Sequence, residues 1–421
     1  MTPTRIYVAI PAMDELHDLP LTLQDLAAQQ VRVPFEVHVC VNQPETYWED
    51  DQNRLVCIHN QELLSFLKTY SALPVQVLDY ASPGKGWKGK NFGVGWARKM
   101  LFENILKSAN PEDLIISLDA DTRIKQGYLQ SIADNFVAHP EWPAIAVPYY
   151  HPLTGDEARD RAVLRYEFYM RNYAINLLRI GSPYGFTAIG SAIAMRTSAL
   201  RKIGGITPLK SGEDFYLMQK MRKMAVVGLY NEECVYPAAR YSTRVAFGTG
   251  PAMMKGSEGN WDSYPIFAQS CFESIAESYN LLPQLYLQDV HTDFLDFLQV
   301  GAKTEVSLWQ SIRQNVKDLP HFIQAFHEKA DGLRILQFVR RQHKNDHAKE
   351  SSTLYENLSS WIPETIPSWW NPELPFEQLS LEQMNDIRNL LFHYENELRK
   401  KIDDYKYYSY FCSLKNTVFK T

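Results

Sequence analysis

Leu114-Ile115-Ile116-Ser117-Leu118-Asp119-Ala120-Asp121-Thr122-Arg123 decides the fold. The apolar run reads as a buried strand, and it delivers two carboxylates, two residues apart, to its carboxyl end. In open α/β sheets ligands bind beyond that end of the strands. Paired carboxylates there suit a hard divalent cation, magnesium or manganese, held beside a diphosphate. The competing reading is a turn or capping role, because Asp-x-Asp is common in turns.

Outward from this strand, short apolar runs at residues 6–10, 36–41, 75–78 and 144–147 alternate with helical periods at 19–30 and 91–107. That rhythm predicts an α/β sheet, parallel in its first half. From about residue 260 the pattern becomes helical. Phe322, Phe326, Ala330, Leu333 and Leu336 recur at three and four residues, as do Met384, Ile387, Leu391, Tyr394, Leu398 and Ile402. Ser380 with Gln383 predicts a capping box, and Glu395 with Arg399 a supporting i,i+4 pair. The proline-rich residues 361–375 read as a loop.

The bulk composition narrows the function classes. In 421 residues, 45% are hydrophobic and 22% charged, which excludes wholesale disorder. A net charge of −6 argues against a general electrostatic grip on nucleic acid. No apolar stretch reaches the roughly 18 residues of a spanning helix. The opening residues lack the pattern of a secretory signal, and five scattered cysteines without a C-x-x-C pair fit reduced thiols. A cytoplasmic protein is expected, with peripheral contact at the inner face of a membrane left open.

Other stretches carry chemistry. Glu213-Asp214 follow Ser211-Gly212 and precede an apolar helix; they read either as acids at the positive end of the helix dipole or as a general base for a hydroxyl. Gly84-Lys85-Gly86-Trp87-Lys88-Gly89-Lys90-Asn91 reads as an anion-accepting turn or as a flexible basic loop. Its near matches to dinucleotide and P-loop patterns fail, since the turn follows a later strand rather than the first and Asn91 replaces the metal-binding hydroxyl of a P-loop. Arg240 and Arg244 read as a bidentate diphosphate clamp or as surface salt bridges. Arg161, Arg165, Arg171 and Arg179 are interleaved with aromatics, as in a helix with an apolar core face and solvated arginines, or one that touches an acceptor or lipid head group. Trp87, Trp96 and Tyr184 read as stacking residues or as core.

These features come in one order: strand then Pro11-Ala12-x-x-Glu15, strand then Asn42, Gly-Lys turn then helix, strand then Asp-x-Asp, and later Gly204-Gly205 then Glu213-Asp214. In that arrangement the chain resembles family 2 of the inverting nucleotide-sugar glycosyltransferases, with the GT-A fold. The resemblance covers residues 1 to about 250, leaving 251–421 as a helical extension. It implies a mixed, Rossmann-like sheet flanked by helices, and a nucleoside pocket lined by Pro11, Ala12 and Glu15. Gly89 and Lys90 match the turn that holds base and ribose. Asp119 matches the carboxylate on the ribose, and Asp121 the metal ligand; Ala120 lies between them in the donor-binding set, and Asp119 is counted as a second metal ligand. Asp214 matches the catalytic base, with Glu213 beside it. The family commonly has Asp where this chain has Asn42, whose amide brings a donor as well as an acceptor.

The resemblance thus implies a manganese- or magnesium-dependent transfer of one sugar from a nucleotide donor, a UDP-sugar first, to a hydroxyl acceptor in glycan or glycolipid synthesis. The Gln-x-x-Arg-Trp motif and membrane helices of processive synthases are missing. Two alternatives compete with it. A sugar nucleotidyltransferase would carry a glycine-rich, arginine-containing first loop, which is absent after Ile10. A decayed, non-catalytic scaffold would not be expected to keep Asp119, Asp121 and Asp214 together.

Overall fold

The computed structural model describes residues 3–242, 248–300, 307–344 and 348–404. The chain divides into two compact units, residues 1–163 with 187–259 and residues 164–186 with 260–421. Residues 164–186, which the sequence reading kept with the first 250, group with the later helices.

The first unit is built on a six-stranded mixed sheet. Its strands are β1 (Ile6–Ala12), β2 (Phe35–Asn42), β3 (Val75–Tyr80), β4 (Leu114–Ser117), β6 (Ala144–Ala146) and β7 (Ile193–Arg196), in the order β3-β2-β1-β4-β7-β6. Strand β5 (Thr122–Ile124) pairs antiparallel with β8 (Val235–Pro237) in a separate ribbon. β3, β2, β1 and β4 run parallel, as the alternating pattern predicts, with Ile6 opposite both Phe35 and Leu114. β7 pairs antiparallel with β4 and with β6. All seven residues of β1 are buried, which explains why its sequence is a continuous apolar run rather than an alternation. Pro11 lies past the last β1–β4 pair, Ala9 with Ser117, so its missing N–H interrupts no bond there.

Helices α1 (Leu19–Ala27), α2 (Arg54–Thr69), α3 (Val94–Leu106) and α4 (Tyr128–Ala138) each bury one stripe. The chain leaves β1 toward β2 on one side, and β4 lies on the other. The crevice outside the carboxyl ends of β1 and β4 is therefore the topological switch point where such sheets take ligands. Pro11, Ala12, Asp119 and Asp121 all stand at that edge.

The second unit is helical, with Leu164, Phe168, Ile175, Leu354, Leu358, Ile387 and Leu391 at its core. The periodic run from Phe322 is broken into two helices, Leu319–Lys329 and Gly332–His343, because Asp331 caps the second by accepting from the Arg334 N–H. The capping box forms: Gln383 N–H donates to Ser380 Oγ at 3.1 Å and Ser380 N–H to Gln383 Oε1 at 2.8 Å.

Of the arginines of α5 (Glu157–Arg179), Arg165 and Arg171 do not follow the solvated reading, whereas Arg179 is exposed and Arg161 pairs with the exposed Glu157. In the second unit Arg171 is buried between Glu167 (2.8 Å) and Glu395 (2.7 Å), Arg388 also reaches Glu167, and Arg399 pairs with Glu395. Arg165 pairs with Glu350, and Arg179 donates to the Tyr394 hydroxyl. Acids on the facing helices draw Arg165 and Arg171 inward, and a buried charge persists only when paired in this way. No helix among the described residues is long and apolar enough to cross a membrane. Cys40, Cys57, Cys234 and Cys271 are free thiols.

Candidate active site

Two guanidiniums organise the acids at the carboxyl edge of the sheet. The first is Arg98 of α3, whose side chain is 5% exposed. It donates to Asp119 Oδ1, to Glu213 Oε1 and, at 3.2 Å through Nε, to Ser117 Oγ. Burial works against its charge, and Asp119, Glu213 and Asp214 more than restore it. Three carboxyl groups from β4 and the start of α7 (Glu213–Met224) are thus gathered on one cation.

Gly212 enters α7 with φ of 77°, a left-handed conformation that glycine adopts without cost, and this turn sets Glu213 and Asp214. Glu213 is 2% exposed and its acid is spent on Arg98. Asp214 is half-buried and accepts from the Phe215 N–H at 2.7 Å. Burial pushes its carboxyl up to about 7; the neighbouring Glu213 charge adds to the rise and Arg98 opposes it. A carboxyl that titrates near neutrality is suited to taking a proton from a hydroxyl.

Gly190 closes this cluster. A Cβ there would stand 1.9 Å from Arg98 Nη2 and 2.4 Å from Cζ. Gly190→Ala should displace the guanidinium from Asp119 and cost about 1–3 kcal/mol through overpacking. Thermal unfolding checks this; an unchanged Tm would show that Arg98 is not held as described.

The second guanidinium, Arg240, is 28% exposed. Its Nε donates to Asp121 Oδ2 at 2.7 Å, Nη1 to Asp18 Oδ2 at 3.1 Å, and Nη2 to Glu15. Arg240 is therefore neither an isolated surface pair nor a free clamp. Arg244 lies outside the described residues.

Nearer β2, Asn42 is buried. Its Nδ2 donates to the carbonyls of Ala12 (3.0 Å) and Cys40 (3.2 Å), and its Oδ1 accepts from Trp87 Nε1 at 3.3 Å. Both amide hydrogens are committed to backbone, so the donor that made Asn42 unlike an aspartate is used up, and its only remaining capacity is the second lone pair of Oδ1, which already accepts from Trp87. Trp87 stacks on Tyr80 at 4.2 Å. Tyr184, by contrast, is a core residue of the second unit, donating to the His327 carbonyl at 2.7 Å.

The Gly-Lys turn does collect an anion, but an internal one. The N–H groups of Gly84 and Gly86 both donate to the Glu45 carboxylate at 2.7 Å. Gly89, with φ of 67°, and Lys90 remain exposed beyond it. Ala120 contributes its carbonyl to Thr22 Oγ1 at 2.8 Å, which fixes the turn between the two aspartates.

The structure thus groups Asp119, Glu213 and Asp214 around Arg98, and Asp121 with Glu15 around Arg240. Sequence reasoning missed Arg98, Asp18 and Gly190. A divalent cation does not fit this arrangement: Asp119 and Asp121 are turned to different guanidiniums, and among the described residues no three His, Cys, Asp or Glu side chains are placed to hold a metal.

No protein-family model matches the sequence, and no curated protein matches it. Among solved structures, the chain is similar to S. aureus TarS 1-349 in complex with UDP-GlcNAc, at 13% identity over 81% of this chain and 90% of that one, with a TM-score of 0.39. It is also similar to a mannosyltransferase from Pyrobaculum calidifontis in complex with GDP-Man and Mn2+ (12% identity, 96% and 88%, TM-score 0.35). A third is GalNAc-T7 with UDP, GalNAc and Mn2+ (14%, 78% and 58%, TM-score 0.37).

Proposed function

We propose that the chain is a nucleotide-sugar-dependent glycosyltransferase of the GT-A type that inverts the anomeric centre and transfers one sugar per event to a hydroxyl acceptor. The observation that carries this reading is Asp214, a carboxyl titrating near 7 and held beside Glu213, Arg98 and Asp119 at the switch point of the sheet.

Asp214 takes the proton of the acceptor hydroxyl as its oxygen attacks the anomeric carbon. The bond from that carbon to the phosphate oxygen breaks, and its electron pair leaves with the nucleoside diphosphate. One displacement inverts the configuration. Glu213 accepts from Arg98 and holds that guanidinium beside Asp214. Asp119 is the ribose carboxylate, while Pro11, Ala12 and Glu15 border the nucleoside and Gly89 and Lys90 lie beyond it. The carbonyl of Ala12 is the anchor that aims Asn42.

Asn42 supports a uridine donor. An oriented amide oxygen accepts from a ring N–H, which uracil and guanine carry and which cytosine and adenine do not. The test is thermal stabilisation and turnover with a panel of UDP-, GDP-, CDP- and ADP-sugars. Stabilisation by UDP-sugars, followed by GDP-sugars, is expected; failure of the whole panel to bind would sink the reading.

A further inference from the structure

Among the described residues, Asp14 is the one residue other than glycine with a positive φ, 60°. A residue with a Cβ is strained in that left-handed conformation, and the strain persists only where the surroundings impose it. Here two adjacent side chains of α2 impose it. Asn60, fully buried, accepts the Asp14 N–H on Oδ1 at 2.9 Å, and His59 Nδ1 lies 2.6 Å from Asp14 Oδ1. Asp14 is itself exposed, so the turn is not a consequence of burying its side chain.

Asn60 also reaches the end of β2. Its Nδ2 donates to the Asn42 carbonyl at 3.3 Å and to Gln43 Oε1 at 2.8 Å, and Gln43 Nε2 donates to Cys57 Sγ at 2.9 Å, one turn back along α2. One buried amide thus joins the segment after β1 to the segment after β2. Ala12, two residues before Asp14, aims the Asn42 side chain, and Glu15, the residue after it, accepts from Arg240.

We infer that Asn60 is a positioning residue, which holds Asp14 left-handed so that Ala12 and Glu15 keep their places at the nucleoside. The inference rests on the nucleotide-sugar reading above and deepens it. Without an acceptor for its N–H, Asp14 relaxes toward a negative φ. The peptide planes on either side of it turn, and they carry Ala12 and Glu15 with them. Asn60 acts through Asp14 and not on the reacting carbon, so its loss changes nucleotide affinity and spares the rate at saturation.

The test is calorimetric titration of the full chain and four variants with UDP. Asp14→Ala and Asp14→Gly both remove the carboxylate, but only glycine takes the left-handed conformation without strain. Asp14→Ala should therefore weaken binding about fivefold, and Asp14→Gly should stay within about twofold of wild type. Asn60→Leu and Asn60→Asp both lose the donations to Asn42 and Gln43, and both should lower the Tm. Only Asn60→Asp keeps an acceptor for the Asp14 N–H, so it should bind UDP within about threefold of wild type, and Asn60→Leu about tenfold more weakly. In steady-state transfer those two variants should differ in KM and share a kcat. Equal Kd values for the two Asp14 variants, or for the two Asn60 variants, would overturn this inference and leave the nucleotide-sugar reading standing. No binding of UDP or of any other nucleoside diphosphate by the wild-type chain, with or without Mn2+, would overturn both.

Discussion

Asp214→Asn is expected to lower the rate of sugar transfer by about 10²- to 10⁴-fold, the range for loss of a general base, with nucleotide affinity unchanged. The wild-type rate should rise with pH and level off above about 7, since only the ionised carboxyl accepts a proton. The same substitution should stabilise the fold. The carboxyl of Asp214 titrates near 7 in the folded chain and near 3.8 ordinarily, so ionising it works against folding. That burden is absent below pH 4, grows as the pH rises toward 7 and is constant above. The amide removes it, so the Tm gain of Asp214→Asn should be clear at pH 8 and vanish below pH 4. A variant that is inactive and also fails to bind nucleotide would place Asp214 in the donor site instead.

Arg98→Met should have the largest effect on stability. It leaves Glu213, 2% exposed, without the cation that pairs with it, and removing one member of a buried ion pair costs about 3–5 kcal/mol. In a domain of this size that is a fall in Tm of order 10 °C. Arg98→Met combined with Glu213→Gln should recover much of the loss, because the second change removes the stranded charge. In the single variant the opposing charge on Asp214 is also lost, so its carboxyl should rise further and the alkaline plateau of the rate should shift upward. Equal destabilisation by the single and double variants would mean that the pair is not coupled as the geometry indicates.

The parallel core of the sheet was legible because β1, β2 and β4 are fully or largely buried, and burial on both faces writes itself as unbroken apolar runs. Strands β5, β7 and β8 were not read. Two of them are three residues long, too short for a period to show, and β7 follows a stretch that resembles a helix in composition as much as a strand. The acids of the site were visible as local motifs, whereas their pairing with Arg98 and Arg240 was not, because Arg98 meets Glu213 and Arg240 meets Asp121 across more than a hundred residues of chain, and even Asp119 lies 21 residues from Arg98. Arg98 did leave a signal. It stands on the stripe Ala97, Leu101, Phe102 and Ile105 that α3 turns inward, and a charge on a buried face implies a partner. Gly190 left none, since only the approach of a distant side chain makes its missing Cβ matter. Asn42 shows the opposite case: its identity was plain, but whether it donates or accepts depended on two backbone carbonyls that only the fold brings to its amide.

The central claim is a single displacement at the anomeric carbon with Asp214 as base. It is tested most directly by following the slow hydrolysis of an α-linked nucleotide sugar with the enzyme by proton NMR, reading the anomeric signal of the released sugar before mutarotation. The β anomer should appear first, and Asp214→Asn should release it at least about 10²-fold more slowly. First appearance of the α anomer, or equal release by the variant, would contradict it.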